Sequence, residues 1–314
     1  MPFLLPAFPL LKRVVELGSA GPGRWSLLGE PAGPAAESHL PETLTPSTAR
    51  RAPALTRSSA SPAPRVALPV GEGCQSCYML GMAKTSNRRA PAQVQALRRA
   101  YQLMRAHFGH QHWWPGETPF EVCVGAILTQ NTAWSNVERA IANLKAARVL
   151  EPRKLFALRP SRLAALIRPA GYFNVKARRL RAFLRVLVQN FDGDVGRLLA
   201  GETALVRERL LAIYGIGPET ADSMLLYAGR HHRFVIDAYT KRIFHRHGWS
   251  HSDAAYEPLQ RLCESALNHK PCTARLDYWQ DYHAQLVITG KDFCRSRRPR
   301  CGQCPLQPLL PGKP

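Results

Sequence analysis

From residue 91 onward the apolar residues recur at i, i+3, i+4 and i+7, the spacing that lines one face of an α-helix. The pattern runs through AQVQALRRAYQLMRAHF, FEVCVGAILTQ, SNVERAIANLKAARV, AALIRPAG, KARRLRAFLRVLVQNF, ALVRERLLAIYG, ETADSMLLYAG and AYTKRIFHRHG. Glycines close several of these runs, at Gly171, Gly193, Gly215, Gly229 and Gly248, as expected where a chain leaves a helix. No segment alternates apolar and polar residues convincingly enough to read as a strand. The pattern predicts an all-α fold of about ten helices with short connections.

The first 84 residues break this regularity. They hold 12 of the 26 prolines, with many Ala and Ser, and read as disordered or as lying ahead of a later start at Met79 or Met82. Cys74 and Cys77 in this region form a lone C-x2-C without a second pair, too little to argue for metal. The opening MPFLLPAFPLLKRVVELG is apolar, but prolines break it and its positive charge follows the apolar part, the reverse of a secretory signal. No apolar run reaches the roughly 18 residues of a membrane span. Eight cysteines without a regular framework suit a reducing compartment. The expected setting is the bacterial cytoplasm, at the nucleoid, or a mitochondrion or nucleus if the source is eukaryotic. A monomer suffices for the reading.

Charge narrows the function. The chain carries +21, from 43 Lys and Arg against 22 Asp and Glu. Residues 1–84 account for only +3 of it, so the helical part holds +18. Solubility alone needs far less, and so basic a folded region is expected to meet a polyanion, by default nucleic acid.

The turn in LLAIYGIGPETADSMLL, residues 210–226, is suited to that role. Gly215 permits a positive φ at the end of one helix, Gly217 lets a ligand approach the backbone, and Pro218 suits the first position of the next helix. Such a turn points free amides outward at a helix N-terminus and can hold a phosphate without reading sequence. An ordinary αα-hairpin would look the same. Beyond it, FVIDAYTKRIF places Asp237 after an apolar, strand-like link and at a helix start, where an aspartate ordinarily serves as an N-cap.

Together the hairpin, the link and an aspartate eighteen residues beyond Glu219 resemble the helix-hairpin-helix DNA glycosylases of the endonuclease III superfamily. The resemblance runs from about residue 95 to 304. It implies two helical domains flanking a DNA-binding cleft. One comprises residues 119–232, with the hairpin at about 205–228. The other joins 91–118 to 233–314. In that family the aspartate matching Asp237 is the catalytic carboxylate, and the chemistry is sensible. Breaking an N-glycosidic bond develops oxocarbenium character, which a carboxylate stabilises while it orients water.

Bifunctional members carry a lysine at the position matching Glu219, whose amine attacks the sugar and leads to strand cleavage. A carboxylate cannot do this. The resemblance therefore implies a monofunctional glycosylase, with Glu219 left to favour its own helix through the macrodipole and Lys241, one turn beyond Asp237, to meet phosphate. The alternatives are a bifunctional glycosylase and lyase acting on oxidised pyrimidines, which Glu219 opposes, and a non-catalytic DNA-binding protein, which Asp237 opposes.

The stretch FGHQHWWPGETPFEVCVGAILTQNTAWSNVERAI supplies the base pocket that this resemblance implies. Flipped bases are held between flat side chains, and Trp113, Trp114, Pro115 and Trp134 give unusual aromatic density, unless they are simply core. The WWP and LTQNT pairing is most similar to the 3-methyladenine DNA glycosylase branch. That likeness places Trp114, Pro115 and Trp134 about the base and Gln130 in the gap it leaves. An aromatic box favours a cationic alkylated purine.

CRSRRPRCGQCP gives Cys294, Cys301 and Cys304, the first three positions of the family's C-x6-C-x2-C-x5-C loop, which binds a [4Fe–4S] cluster. The fourth position is Leu310. Either three thiolates hold a cluster with an outside ligand, or the cluster is lost and a basic loop of Arg295, Arg297, Arg298 and Arg300 remains to meet the DNA backbone.

Overall fold

The computed structural model describes residues 89–112 and 116–312, and there the helical pattern becomes twelve α-helices with no strand among the described residues. In order they are α1 (Arg89–Phe108), α2 (Pro119–Leu128), α3 (Trp134–Ala146), α4 (Pro152–Ala157), α5 (Pro160–Leu166), α6 (Phe173–Phe191), α7 (Val195–Leu199), α8 (Thr203–Leu211), α9 (Pro218–Ser223), α10 (Ala238–Arg246), α11 (Tyr256–Ala266) and α12 (Cys272–Asp292). The all-α expectation is met. The Cys74–Cys77 pair and the candidate starts Met79 and Met82 lie outside the described residues, and so do Trp113, Trp114 and Pro115.

Local chemistry sets the helix starts. Proline opens α2, α4, α5 and α9, where its missing N–H costs nothing. Thr118, Asp194, Glu202 and Asp237 accept backbone N–H bonds in the first turns of α2, α7, α8 and α10.

The buried side chains form two hydrophobic clusters. The first takes residues from Phe120 to Leu225, including Leu128, Leu144, Phe183, Leu210 and Met224. The second takes Leu97, Ala100 and Met104 of α1 and Val122 of α2, then residues from Leu226 to Leu306. The change falls between Leu225 and Leu226, inside a π-helical turn, Met224–Ala228, that continues α9. Each fully buried aliphatic or aromatic side chain contributes about 1.5–3 kcal/mol, so both clusters are substantial.

The middle of α12, residues 278–286, is buried on every side. Tyr278, Trp279, Tyr282 and Leu286 are buried on it, and so are Gln280, Asp281, His283, Gln285 and Thr289. It packs against α1 and α10. The Tyr282 hydroxyl donates to Leu97 O at 2.9 Å. Buried polar groups call for partners; those that Gln280, Asp281 and His283 Nδ1 find organise the site, while His283 Nε2, Gln285 Oε1 and Thr289 Oγ1 have none. Among the described residues no helix is long and apolar enough to cross a membrane.

Candidate nucleic-acid interface and active site

Helices α8 and α9 form the hairpin. Gly215 takes φ +83°, and a Cβ there would overlap Cγ of Arg179 and lie 2.7 Å from its Cδ. Both the dihedral and the space demand glycine. Gly217 is the N-cap of α9 with extended backbone, and nothing lies within 4 Å of where its Cβ would be. Its surface is open to a ligand. The hairpin is fastened from behind by Asp222, fully buried on α9. Asp222 accepts from Arg207 Nε and Nη2 of α8 at 2.8 and 3.2 Å and from Gln260 Nε2 of α11 at 2.8 Å.

The link to α10 has no regular secondary structure and, despite its strand-like apolar run, pairs with no strand among the described residues. Side chains of α11 satisfy its backbone instead. Glu264 Oε1 accepts from Phe234 N at 3.0 Å, Tyr256 OH accepts from Ile236 N at 3.3 Å, and Gln260 Nε2 donates to Phe234 O at 2.6 Å. Phe234, Val235 and Ile236 are buried, so the link is a rigid arm that delivers Asp237.

Asp237 is the N-cap of α10, its Oδ1 accepting from Thr240 N at 2.7 Å. Its Oδ2 lies 3.8 Å from His283 Nε2. Glu219 and Lys241 lie close enough to interact with it or with each other. Although Glu219 is solvent-accessible, surrounding protein desolvates it, and the charge of Asp237 adds to that effect. Together they push its carboxyl up to about 7, against the pull of Lys241. A carboxylate stabilised chiefly by a helix N-terminus would shift downward. Glu219 stands in the first turn of α9, as the macrodipole reading requires, and there desolvation first and Asp237 second work against its ionised form.

Gln130 sits 85 residues before Gly215 in sequence and touches it in space. Its Nε2 donates to Gly215 O at 2.9 Å and to Thr220 Oγ1 at 3.0 Å, while Arg179 donates to its Oε1. The loop that carries Gln130 is held by Lys176, 1% exposed, whose Nζ donates to Leu128 O at 2.9 Å and Ala170 O at 2.7 Å. Burial pulls that ammonium down to about 8. Trp134 opens α3, half-buried against the first cluster, with Gly125 leaving room for its ring.

Residues 113–115 are flanked by tethers. Gln111 N donates to Asp281 Oδ1 at 2.8 Å and Gln285 Nε2 to Gly109 O at 2.6 Å, while Lys145 Nζ lies 2.9 Å from Glu117 Oε1. Asp281 also takes Tyr101 OH at 2.7 Å and Arg105 Nη1 at 3.1 Å.

Cys294, Cys301 and Cys304 line one small cavity of about 20 Å³ with Arg246, His247 and Leu310. That volume holds about one water. Among the described residues no three His, Cys, Asp or Glu side chains are placed to hold a metal ion. Leu310 occupies the wall where a fourth thiolate would stand, so the donor set does not fit a four-thiolate cluster. The loop is held by α10. Arg242 Nε donates to Cys294 O at 2.6 Å, and Arg246 Nη1 donates to Arg295 O at 2.6 Å and lies 3.4 Å from Cys294 Sγ. Arg298 is exposed, at φ +54°. Cys123 is core, as its apolar run implies.

Sequence reasoning missed Lys176, Arg179, Tyr227, Asp281 and His283. For Asp281 and His283 the available signal was YWQDYHAQL, a polar set interleaved with aromatics; the other three left none.

Residues 124–269 match the family described as HhH-GPD superfamily base excision DNA repair protein. The chain is 44% identical over 209 residues to "Putative DNA repair glycosylase MJ1434" of Methanocaldococcus jannaschii, covering 66% of this chain and 92% of that protein. It is similar to the crystal structure of the H. pylori 3-methyladenine DNA glycosylase MagIII bound to 1,N6-ethenoadenine, at 28% identity and TM-score 0.55, over 63% of this chain and 97% of that one. An endonuclease III trapped as a covalent intermediate on DNA shares the fold at 21% identity and TM-score 0.59, over 69% of this chain and 95% of that one.

Proposed function

This chain belongs to the HhH-GPD superfamily of base excision DNA repair proteins and is a DNA glycosylase; from that premise we propose that it is monofunctional, hydrolysing the N-glycosidic bond of an alkylated purine in double-stranded DNA. The observation that carries the reading is the pair at the site's centre. Asp237 is present and capped in place, and the position of a lyase amine holds the carboxyl of Glu219.

The hairpin amides about Gly215 and Gly217 hold a phosphate, with Lys241 and Arg298 adding charge along the backbone. Gln130 trades its bonds to Gly215 and Thr220 for the orphaned base as the target leaves the stack. Trp114, Pro115 and Trp134 stack on the flipped purine, whose positive charge strengthens the contact. The nucleotide's C1′–N bond then lengthens. Asp237 stabilises the oxocarbenium-like sugar and orients water; the cationic purine leaves as a neutral base, and the water that attacks C1′ gives its proton to Asp237, which passes it to solvent. The 1,N6-ethenoadenine bound by the H. pylori relative supports a modified purine as substrate.

Asp237→Asn tests this cleanly. Asn caps a helix as well as Asp does, so Oδ1 still accepts from Thr240 and the fold is kept while the charge is lost. The full chain and the variant are incubated with chemically methylated DNA, and free bases are quantified by mass spectrometry. The expected result is methylpurine release by the wild type and a loss of about 10³-fold or more in the variant, with equal affinity for a duplex carrying a tetrahydrofuran abasic-site analogue. Undiminished release by the variant would overturn the mechanism.

A further inference from the structure

Beside Asp237, on α12, stands a polar group that the mechanism above leaves unused. His283 of α12 is 8% exposed. Its Nδ1 lies 2.6 Å from the Tyr227 hydroxyl, on the π-helical turn. Its Nε2 is buried without a hydrogen-bond partner and faces Asp237 Oδ2 at 3.8 Å. A buried polar atom without a partner is destabilising, which calls for a reason to keep it.

The tautomer follows from the surroundings. If Nδ1 carried the proton, Nε2 would present a lone pair to a carboxylate. If the Tyr227 hydroxyl donates to Nδ1, Nε2–H faces Oδ2 and the electrostatics are favourable. The geometry agrees, because the hydroxyl's other acceptor, Gln280 O, is farther away at 3.3 Å. The groups around the ring are Asp237 from α10 and Tyr227 from the π turn, with Asp281 of α12 acting on Tyr227 and the Phe234 ring edge-on at 6.5 Å. Burial favours the neutral ring, opposed by Asp237. Neutrality matters here: an imidazolium at this distance would offset the negative charge that the reaction uses, and a neutral N–H donor does not.

We propose that His283 is a positioning residue for Asp237, its Nε2–H attracting the second carboxylate oxygen across 3.8 Å while Thr240 N–H fixes the first, with Tyr227 setting the tautomer. The carboxylate then meets the sugar as an oriented anion instead of a free rotor. The chain Tyr227–His283–Asp237 joins three elements, the π turn, α12 and α10. The inference rests on the reading of Asp237 given under the proposed function.

The test begins with the full-length wild type. Nitrogen-15 NMR of labelled histidine should show His283 protonated at Nε2 and bare at Nδ1 near neutral pH. The activity arm compares His283→Leu and His283→Gln for single-turnover release of methylpurines from methylated DNA, with affinity for the tetrahydrofuran duplex measured alongside. Leu should slow release by about 10–100-fold, the rate equivalent of one interaction with a charged group, with affinity unchanged. Gln, whose amide reaches the place of Nε2–H, should recover most of the rate.

A His283→Leu variant that releases bases at the wild-type rate overturns the proposal, as does a ring protonated at Nδ1. A glutamine variant as slow as leucine marks a merely structural residue and overturns it too. Should the leucine variant fail to fold, Tyr227→Phe decides: it should shift the tautomer toward Nδ1–H and slow release, and no change in either sinks the idea. If Asp237→Asn is inactive and His283→Leu is fully active, only this inference fails. If Asp237→Asn is active, the parent reading fails.

Discussion

Replacing Lys176 with Met separates two opposed contributions that the structure assigns to one side chain. Lys176 Nζ donates to Leu128 O and Ala170 O from a nearly sealed position with no acidic partner. Removing it leaves two buried carbonyls without a donor, at about 1–3 kcal/mol each. It also removes a buried cation. The ammonium titrates near 8 in the folded protein against 10.5 for an ordinary lysine, so holding its proton at pH 7 costs about 3 kcal/mol, at 1.36 kcal/mol per unit. These effects oppose each other, and the variant should lie within a few kcal/mol of wild type at pH 7.

The pH dependence is sharper. Between pH 8 and 10.5 the unfolded chain binds one more proton at this lysine than the folded chain does, so wild-type stability rises with pH across that window relative to the variant. From pH 7 to pH 9.5 the difference between the two proteins should move in favour of wild type by about 2 kcal/mol. Urea unfolding followed by circular dichroism at the two pH values measures this, and taking the difference cancels the groups common to both chains. A difference that is the same at both pH values would refute the reasoning, because Lys176 would then titrate as an ordinary surface lysine.

Glu219→Gln should act in the opposite sense. The carboxyl is raised from 4.5 to about 7, so the folded chain binds the extra proton and wild-type stability falls as pH rises through that window. The variant should be the more stable at pH 8, by about 1 kcal/mol once solvent screening of an accessible group is allowed for. A thermal melt should show this as about 2–4 °C, with no difference below pH 4.5. A less stable variant at pH 8 would mean that the macrodipole outweighs desolvation. Gly215→Ala combines a positive φ with overlap on Arg179. It should cost about 1–2 kcal/mol of stability, release Gln130 and weaken affinity for the tetrahydrofuran duplex. A wild-type melt and affinity would show that the turn tolerates a side chain.

How much was legible in the sequence depended on range. The helical periodicity, the proline starts and the Gly215 turn are local, and local chemistry decides them. Asp237 could be placed at a helix start for the same reason. Contacts between distant residues left no such trace. Gln130 meets the hairpin across 85 residues, and His283 faces Asp237 from 46 residues downstream. Lys176 reads as one more surface cation in a basic run, because nothing in KARRL says that its face carries the carbonyls of Leu128 and Ala170. The position of Glu219 in the first turn of α9 was legible, whereas the desolvation around it and the approach of Asp237 from α10 were not. Leu310 was visible as a missing ligand, but only the structure sets it in the wall of the cysteine cavity.

The central claim is base release by water, with no amine in the role of nucleophile. It is tested most directly by incubating the full chain with duplexes that each carry one defined lesion and resolving the strands with and without alkali. The account predicts that an alkylated-purine duplex breaks only after alkali, and that borohydride traps no protein on the DNA. Strand breakage without alkali, with a trapped adduct, would mean that an amine such as Lys241 attacks the sugar, and the weight placed on Glu219 would be misplaced.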